Sequence, residues 1–166
     1  MDENIIKKVS RFSNKTDKRR NLISFLGTIS PYTVFVLYIG TAMYVIIDLK
    51  CSCPQFFIIP AISFASVSII RSALNKKRPF ELYGIPKLIP HGGGKSFPSR
   101  HSACCISISL AIFTVSRTFG VIAFICSAVI CVTRVLCGVH FIKDVLAGVF
   151  MGGIFWVIYF IFQAVR

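Results

Sequence analysis

"GGGKSFPSRHSACC", residues 92–105, sets a glycine run, Lys95, Pro98, Ser99, Arg100 and His101 directly in front of an apolar stretch. A linker has no use for a histidine there, and a membrane anchor has none for Ser99. So polar a cluster at the mouth of a hydrophobic segment makes sense if other polar clusters meet it. That requires the segment to be one helix of a bundle.

Composition supports the bundle and makes lipid its solvent. The 166 residues are 55% hydrophobic, with 16 Phe and a mean hydropathy of +0.74, against about 45–50% apolar in a soluble domain. The length suits a single domain over residues 1–166. A net charge of +13 raises nucleic acid as a partner for a soluble protein. Here the cations gather between apolar runs, the pattern of membrane topology and anionic headgroups, and nucleic acid is not expected. The seven cysteines show no metal spacing. Most lie in or beside apolar runs, where Cys is a small hydrophobe. Cys51 and Cys53 stand too close for an ordinary mutual disulfide.

The start, "MDENIIKKVSRF", is too polar for a cleavable signal peptide. It places Ile5, Ile6, Val9 and Phe12 on one helical face, predicting a short interfacial helix on a headgroup layer. The basic amphipathic segment covers residues 1–20, and the bundle covers 22–165. Five hydrophobic segments follow, at about 22–47, 55–74, 99–116, 119–135 and 141–165, with a tight loop at 48–54 and a long polar loop at 75–98. The expected fold is an all-α integral-membrane bundle of about five transmembrane helices plus the amphipathic amino-terminal helix. The third and fourth segments are short for a hydrocarbon core, which needs roughly 20 helical residues, so both are expected inside the bundle. Gly148 and Gly152, four apart, predict a close helix contact.

Five crossings bring three polar clusters to one face: Arg71 and Arg78 after the second segment, Ser99 and His101 before the third, and Arg134, His140 and Asp144 around the last turn. Ionisable groups at membrane depth are costly and usually functional. Ser99 follows Pro98 at a helix start, where open N–H groups and the dipole attract an anion; capping alone also accounts for it. Arginine forks suit phosphate oxygens, whereas Lys76, Lys77 and Lys87 read as headgroup anchors. His140 and Asp144, at i and i+4, share a helix face, and the carboxylate sets the imidazole tautomer. A surface ion pair has the same spacing. His101 supplies a second imidazole suited to protonating a leaving oxygen. His91 reads as an ordinary loop residue. Taken together, the groups describe phosphoryl transfer with neither metal nor cofactor, the cations stabilising the transferring oxygens.

These motifs resemble the type 2 phosphatidic acid phosphatase family, which shares its core with vanadium haloperoxidases. Its pattern is Lys, six residues, Arg-Pro; then Pro-Ser-Gly-His; then Ser-Arg, five residues, His, three residues, Asp. Here Arg71 stands six residues before Arg78-Pro79, Pro98-Ser99-Arg100-His101 follows, and Thr133-Arg134 precedes His140 and Asp144 at the same separations. The resemblance implies that His140 is a nucleophile forming a phosphohistidine, oriented by Asp144. It implies that His101 protonates the leaving group and then assists water. Arg71, Arg78, Ser99 and Arg134 bind phosphate by the same resemblance. Three positions depart: Arg71 for Lys, Thr133 for Ser, and Arg100 for Gly. Arg100 adds a phosphate-binding cation that favours a diphosphate.

The implied activity is hydrolysis of a lipid phosphate or diphosphate, such as a polyprenyl diphosphate, phosphatidate or phosphatidylglycerophosphate. A phosphotransferase of the same family passes the phosphate to a second lipid instead. A non-catalytic channel or assembly partner explains the cations as topology signals alone. All but Lys50, Arg117 and Arg166 of the 19 Lys and Arg fall on the site-bearing face. The positive-inside rule therefore puts that face of a multi-pass cell-membrane protein in the cytoplasm.

Overall fold

The computed structural model describes residues 3–47 and 53–165; most of the expected 48–54 loop, including Cys51, lies outside them. Among the described residues the elements are all helical: α1 (Glu3–Ser13), α2 (Asp17–Ile47), α3 (Pro54–Leu74), α4 (Pro79–Tyr83), α5 (Arg100–Val115), α6 (Arg117–Leu136) and α7 (Ile142–Val165). α2, α6, α7 and the stretch Pro54–Tyr83 that begins with α3 are each long and apolar enough to cross a membrane. α5 is the shorter apolar helix. At 16 residues it spans about 24 Å, less than a hydrocarbon core of about 30 Å. The protein is an all-α, multi-pass membrane bundle.

α5 is short because it is central. It packs against α2, α3, α6 and α7, and only Phe113 among its large hydrophobics is exposed. α6 is different, since Val121, Ile122, Ile125 and Val132 face outward. The expected interior place therefore holds for the third segment and not for the fourth.

Buried serines tie the centre to its neighbours. In lipid, apolar side chains gain little by leaving their solvent, so polar ties and close backbone approach hold helices together. Ser109 and Ser127 hydroxyls meet at 2.9 Å across α5 and α6. The Trp156 indole N–H donates to the Ser107 carbonyl oxygen at 3.0 Å. Ser63 donates to the Met151 carbonyl oxygen at 3.3 Å, linking α3 to α7.

The α5–α7 approach is closest at the GxxxG pair. A Cβ on Gly148 would lie 2.5 Å from the Ser99 carbonyl oxygen, and one on Gly152 would collide with the Ala103 carbonyl oxygen. The Ser99 N–H donates to the Asp144 carbonyl oxygen at 2.8 Å, levelling the starts of the two helices.

One boundary and one helix face differ from the sequence reading. α2 begins five residues early, because Asp17 places a carboxylate in its first turn where the dipole favours it. α1 turns Ile6, Ser10 and Ser13 into the protein, towards α6 and α4. Its expected apolar stripe is thus split: Ile6 is buried, while Ile5 and Phe12 stay exposed. The small Ser10 and Ser13 allow that close docking.

Gly152→Val should lower stability by about 1–3 kcal/mol through overpacking against rigid backbone. Gly153→Ala, where an added Cβ meets nothing within 4 Å, should be neutral. Thermal unfolding of the two variants in detergent checks the contrast.

Candidate active site

Each cluster sits at a helix end or where two helices join, and these ends converge. Arg71 lies in the last turn of α3, Ser99 caps α5, Arg134 lies in the last turn of α6, and Asp144 lies in the first turn of α7. Arg71, Arg78, Ser99, Arg134, His140 and Asp144 are all buried.

Arg78 is the hub. Its guanidinium donates from Nε to the Gly94 carbonyl oxygen at 2.9 Å and from Nη1 to the Val139 carbonyl oxygen at 2.8 Å. Nη1 also lies 3.2 Å from His140 Nε2. An arginine can only donate, so Nε2 accepts and the ring proton sits on Nδ1. That nitrogen faces Asp144 Oδ2 at 3.6 Å, ion-pair range but too long for a hydrogen bond.

Asp144 Oδ2 is held instead by the Ser96 hydroxyl and by the Phe141 N–H at 3.1 Å. Arg71 Nη1 donates to the Pro98 carbonyl oxygen at 2.7 Å. Arg134 Nη2 donates to the Gly27 carbonyl oxygen at 2.6 Å, while its buried Nε has no partner. Carbonyl dipoles satisfy part of each guanidinium without neutralising it. Full positive charge remains for an anion.

The glycine run supplies some of those carbonyls. Gly94 at φ +64 and Lys95 at φ +51 turn the loop so that Gly94 meets Arg78, and glycine takes that conformation at little cost. Glu81 Oε2 accepts from the Arg78 N–H and the Gly94 N–H, both at 2.8 Å, stapling the loop to the start of α4.

Ser99 accepts at Oγ from the Ser102 hydroxyl at 2.9 Å and from the Ser102 N–H at 3.4 Å. It caps the helix, as its position alone suggested. The first N–H groups of α5, as at any helix start, have no partner within the helix. The Arg100 side chain turns outward, although its charge still reaches Arg71. It is exposed, and its guanidinium lies over the Phe64 ring at 5.5 Å, because one residue along a helix turns the side chain to another face.

His101 lines a cavity of about 650 Å³ with His91 and Arg134, and α2 closes it with Gly27, Thr28, Pro31, Tyr32 and Phe35. A smaller cavity of about 150 Å³ shares Pro31, Phe35 and His101 and runs down between α2 and α5.

Comparison with known proteins decides the family. The PAP2 superfamily profile matches residues 54–166. The chain belongs to the PAP2 superfamily. The bacitracin transport permease protein BcrC of Bacillus licheniformis is 26% identical over 147 residues, covering 86% of this chain and 72% of that protein. The lipid A 1-phosphatase of Rhizobium etli is 31% identical over 93 residues, 53% of this chain and 40% of that one. The undecaprenyl-diphosphatase BcrC of Bacillus subtilis is 32% identical over 86 residues, 52% and 45%. The chain thus spans under half the length of the last two. The crystal structure of Aquifex aeolicus LpxE shares the fold, with a TM-score of 0.70 at 23% identity over 91% of this chain and 92% of that one.

Three residues around this PAP2 site escape sequence reasoning. Glu81 had a signal, an acid three residues after Arg78 with proline at the first helical position. Ser96 and His91 had none, since a loop carries no period. His91 is not an ordinary loop residue, for its ring stands beside those of His101 and His140.

Two histidines, His91 and His140, lie outside the spanning helices. Burial, then Arg78, pushes His91 down to about 4. Burial outweighs the opposing pull of Asp144 and holds His140 down to about 4 as well. In an unfolded chain both titrate near about 6.5, so unfolding takes up protons below that pH. Stability is full above about 6.5 and is lost as pH falls towards 4. The unfolding temperature in detergent should drop across that window, more steeply in the wild type than in His91→Asn. A flat profile contradicts the assignment.

Proposed function

We propose that this chain is an integral-membrane lipid phosphatase, acting as one unit over residues 1–166. It would hydrolyse a phosphate monoester or diphosphate of a lipid through a phosphohistidine on His140. The observation that carries the reading is the lone pair of His140 Nε2 held beside the Arg78 guanidinium at 3.2 Å. A nucleophile and an anion-binding group thereby share one point.

In that reading a phosphoryl group enters between Arg71, Arg78 and the start of α5. His140 Nε2 attacks phosphorus, forming the N–P bond as the P–O bond to the leaving group breaks. Asp144 stabilises the imidazolium, and its contact with Nδ1 tightens as the substrate is bound. His101 gives a proton to the leaving oxygen. The substrate's own negative charge favours the protonated ring beforehand. Water then attacks phosphorus, its proton passes to His101, and the N–P bond breaks to release phosphate. Arg71, Arg78 and Arg134 would carry the charge stabilisation that a metal supplies elsewhere. The lipid tail would follow the apolar wall of Pro31 and Phe35 into the bilayer.

Purified protein assayed against a panel of lipid mono- and diphosphates, with chelator present, tests this. His140→Ala should cut phosphate release by a factor on the order of 10⁴ or more, as for loss of a nucleophile. Release undiminished in His140→Ala would sink the mechanism.

A further inference from the structure

His91 has no part in the chemistry above, yet its ring stands close to both of those that do. Its centroid lies 6.1 Å from that of His140 and 6.3 Å from that of His101, at 85° and 75° to them. The residue is held on several sides. Pro90 precedes it, Lys87 Nζ donates to its carbonyl oxygen at 2.7 Å, and its Nδ1 lies 3.3 Å from the Gly92 carbonyl oxygen. A histidine serving only solvent needs no such fixation.

Its place along the cavity is specific. Tyr32 and Phe35, both exposed, form the cavity's outer rim, and His91 lines it with His101 and Arg134. His140 and Arg78, nearly inaccessible, lie outside that lining, and the His91 ring, 6.1 Å from that of His140, links the cavity to them. The cavity of about 650 Å³ lies within the size range of sites for whole small molecules. One phosphate would leave most of it empty. Arg134 Nε, buried and without a partner, adds a polar donor to the same lining.

We propose that His91 is a specificity-determining residue, touching the group next to the transferred phosphorus on its leaving side and favouring a second phosphoryl group there. The substrate class it selects is lipid diphosphate over lipid monophosphate. The proposal rests on the phosphatase reading above. A carbonyl oxygen only accepts, so the contact with Gly92 puts the ring proton on Nδ1. Nε2 is then the nitrogen left for a ligand. Burial first, then Arg78, Arg134 and Arg71, disfavours a cation at His91 in the empty site. The anionic oxygen of a second phosphoryl group opposes that, and the ring takes a proton from solvent and donates from Nε2. An alcohol oxygen on a monoester carries no such charge.

The test is steady-state kinetics of the purified full chain on farnesyl monophosphate and farnesyl diphosphate. His91→Ala should raise KM for the diphosphate about tenfold, the scale of one hydrogen bond to a charged group. It should leave KM and kcat for the monophosphate within about twofold. His91→Asn, which keeps a donor, should recover part of the diphosphate affinity. It also carries the same comparison should the alanine variant fail to fold. An equal effect on both substrates, or on neither, overturns the proposal. Wild-type protein that releases phosphate from neither compound overturns the phosphatase reading and this proposal with it, whereas an active wild type with an indifferent His91→Ala removes this proposal alone.

Discussion

The site depends on one contact between backbones, that of α7 against the start of α5. Gly148 and Gly152 bring α7 against the carbonyl oxygens of Ser99 and Ala103. The hydrogen bond from Ser99 N–H to Asp144 C=O then fixes the register of the two helices. His101 belongs to the first turn of one helix, and His140 directly precedes the other. A sliding of one turn would displace the rings by about 5.4 Å, beyond the reach of any shared substrate. In a lipid solvent this fit cannot be left to hydrophobic burial, which explains why serine hydroxyls and an indole N–H reinforce it.

Electrostatics follow from that geometry. Three buried guanidinium groups, those of Arg71, Arg78 and Arg134, are gathered near Asp144, the one buried carboxylate among the described residues, which is turned to Ser96 and the Phe141 N–H. Backbone carbonyls hold the arginines in place, and Asp144 and Glu81 offset only part of their charge. Burying charge without a counterion is expensive, and an arriving phosphate removes the cost. The Gly94–Lys95 turn and the Glu81 staple are part of this device, since they aim carbonyls at Arg78 that would otherwise face water.

Much of this was legible in the sequence. The spacing of Arg71 from Arg78, and of Arg134 from His140 and Asp144, places each pair near a helix end, and the count of crossings puts those ends on one face. The helices themselves were legible from apolar runs, and the α5–α7 contact from two glycines four apart. What was illegible lies where periodicity stops. His91 and Ser96 sit in a loop whose path is set by contacts distant in sequence. The side chain of Arg100 turns outward although it follows Ser99, because one residue along a helix changes the face. For α1, the apolar residues alone did not show the docking face, which is formed by Ile6 with Ser10 and Ser13.

The account's central claim is that distant imidazoles and guanidinium groups form one pocket for a phosphoryl group. An experimental structure of the full chain with orthovanadate, a mimic of phosphate in transfer, tests it most directly. The account predicts vanadium bonded to His140 Nε2, with its oxygens on Arg71 and Arg78 and His101 on the opposite side. Vanadate bound elsewhere, or His101 and His140 facing separate spaces, would contradict it.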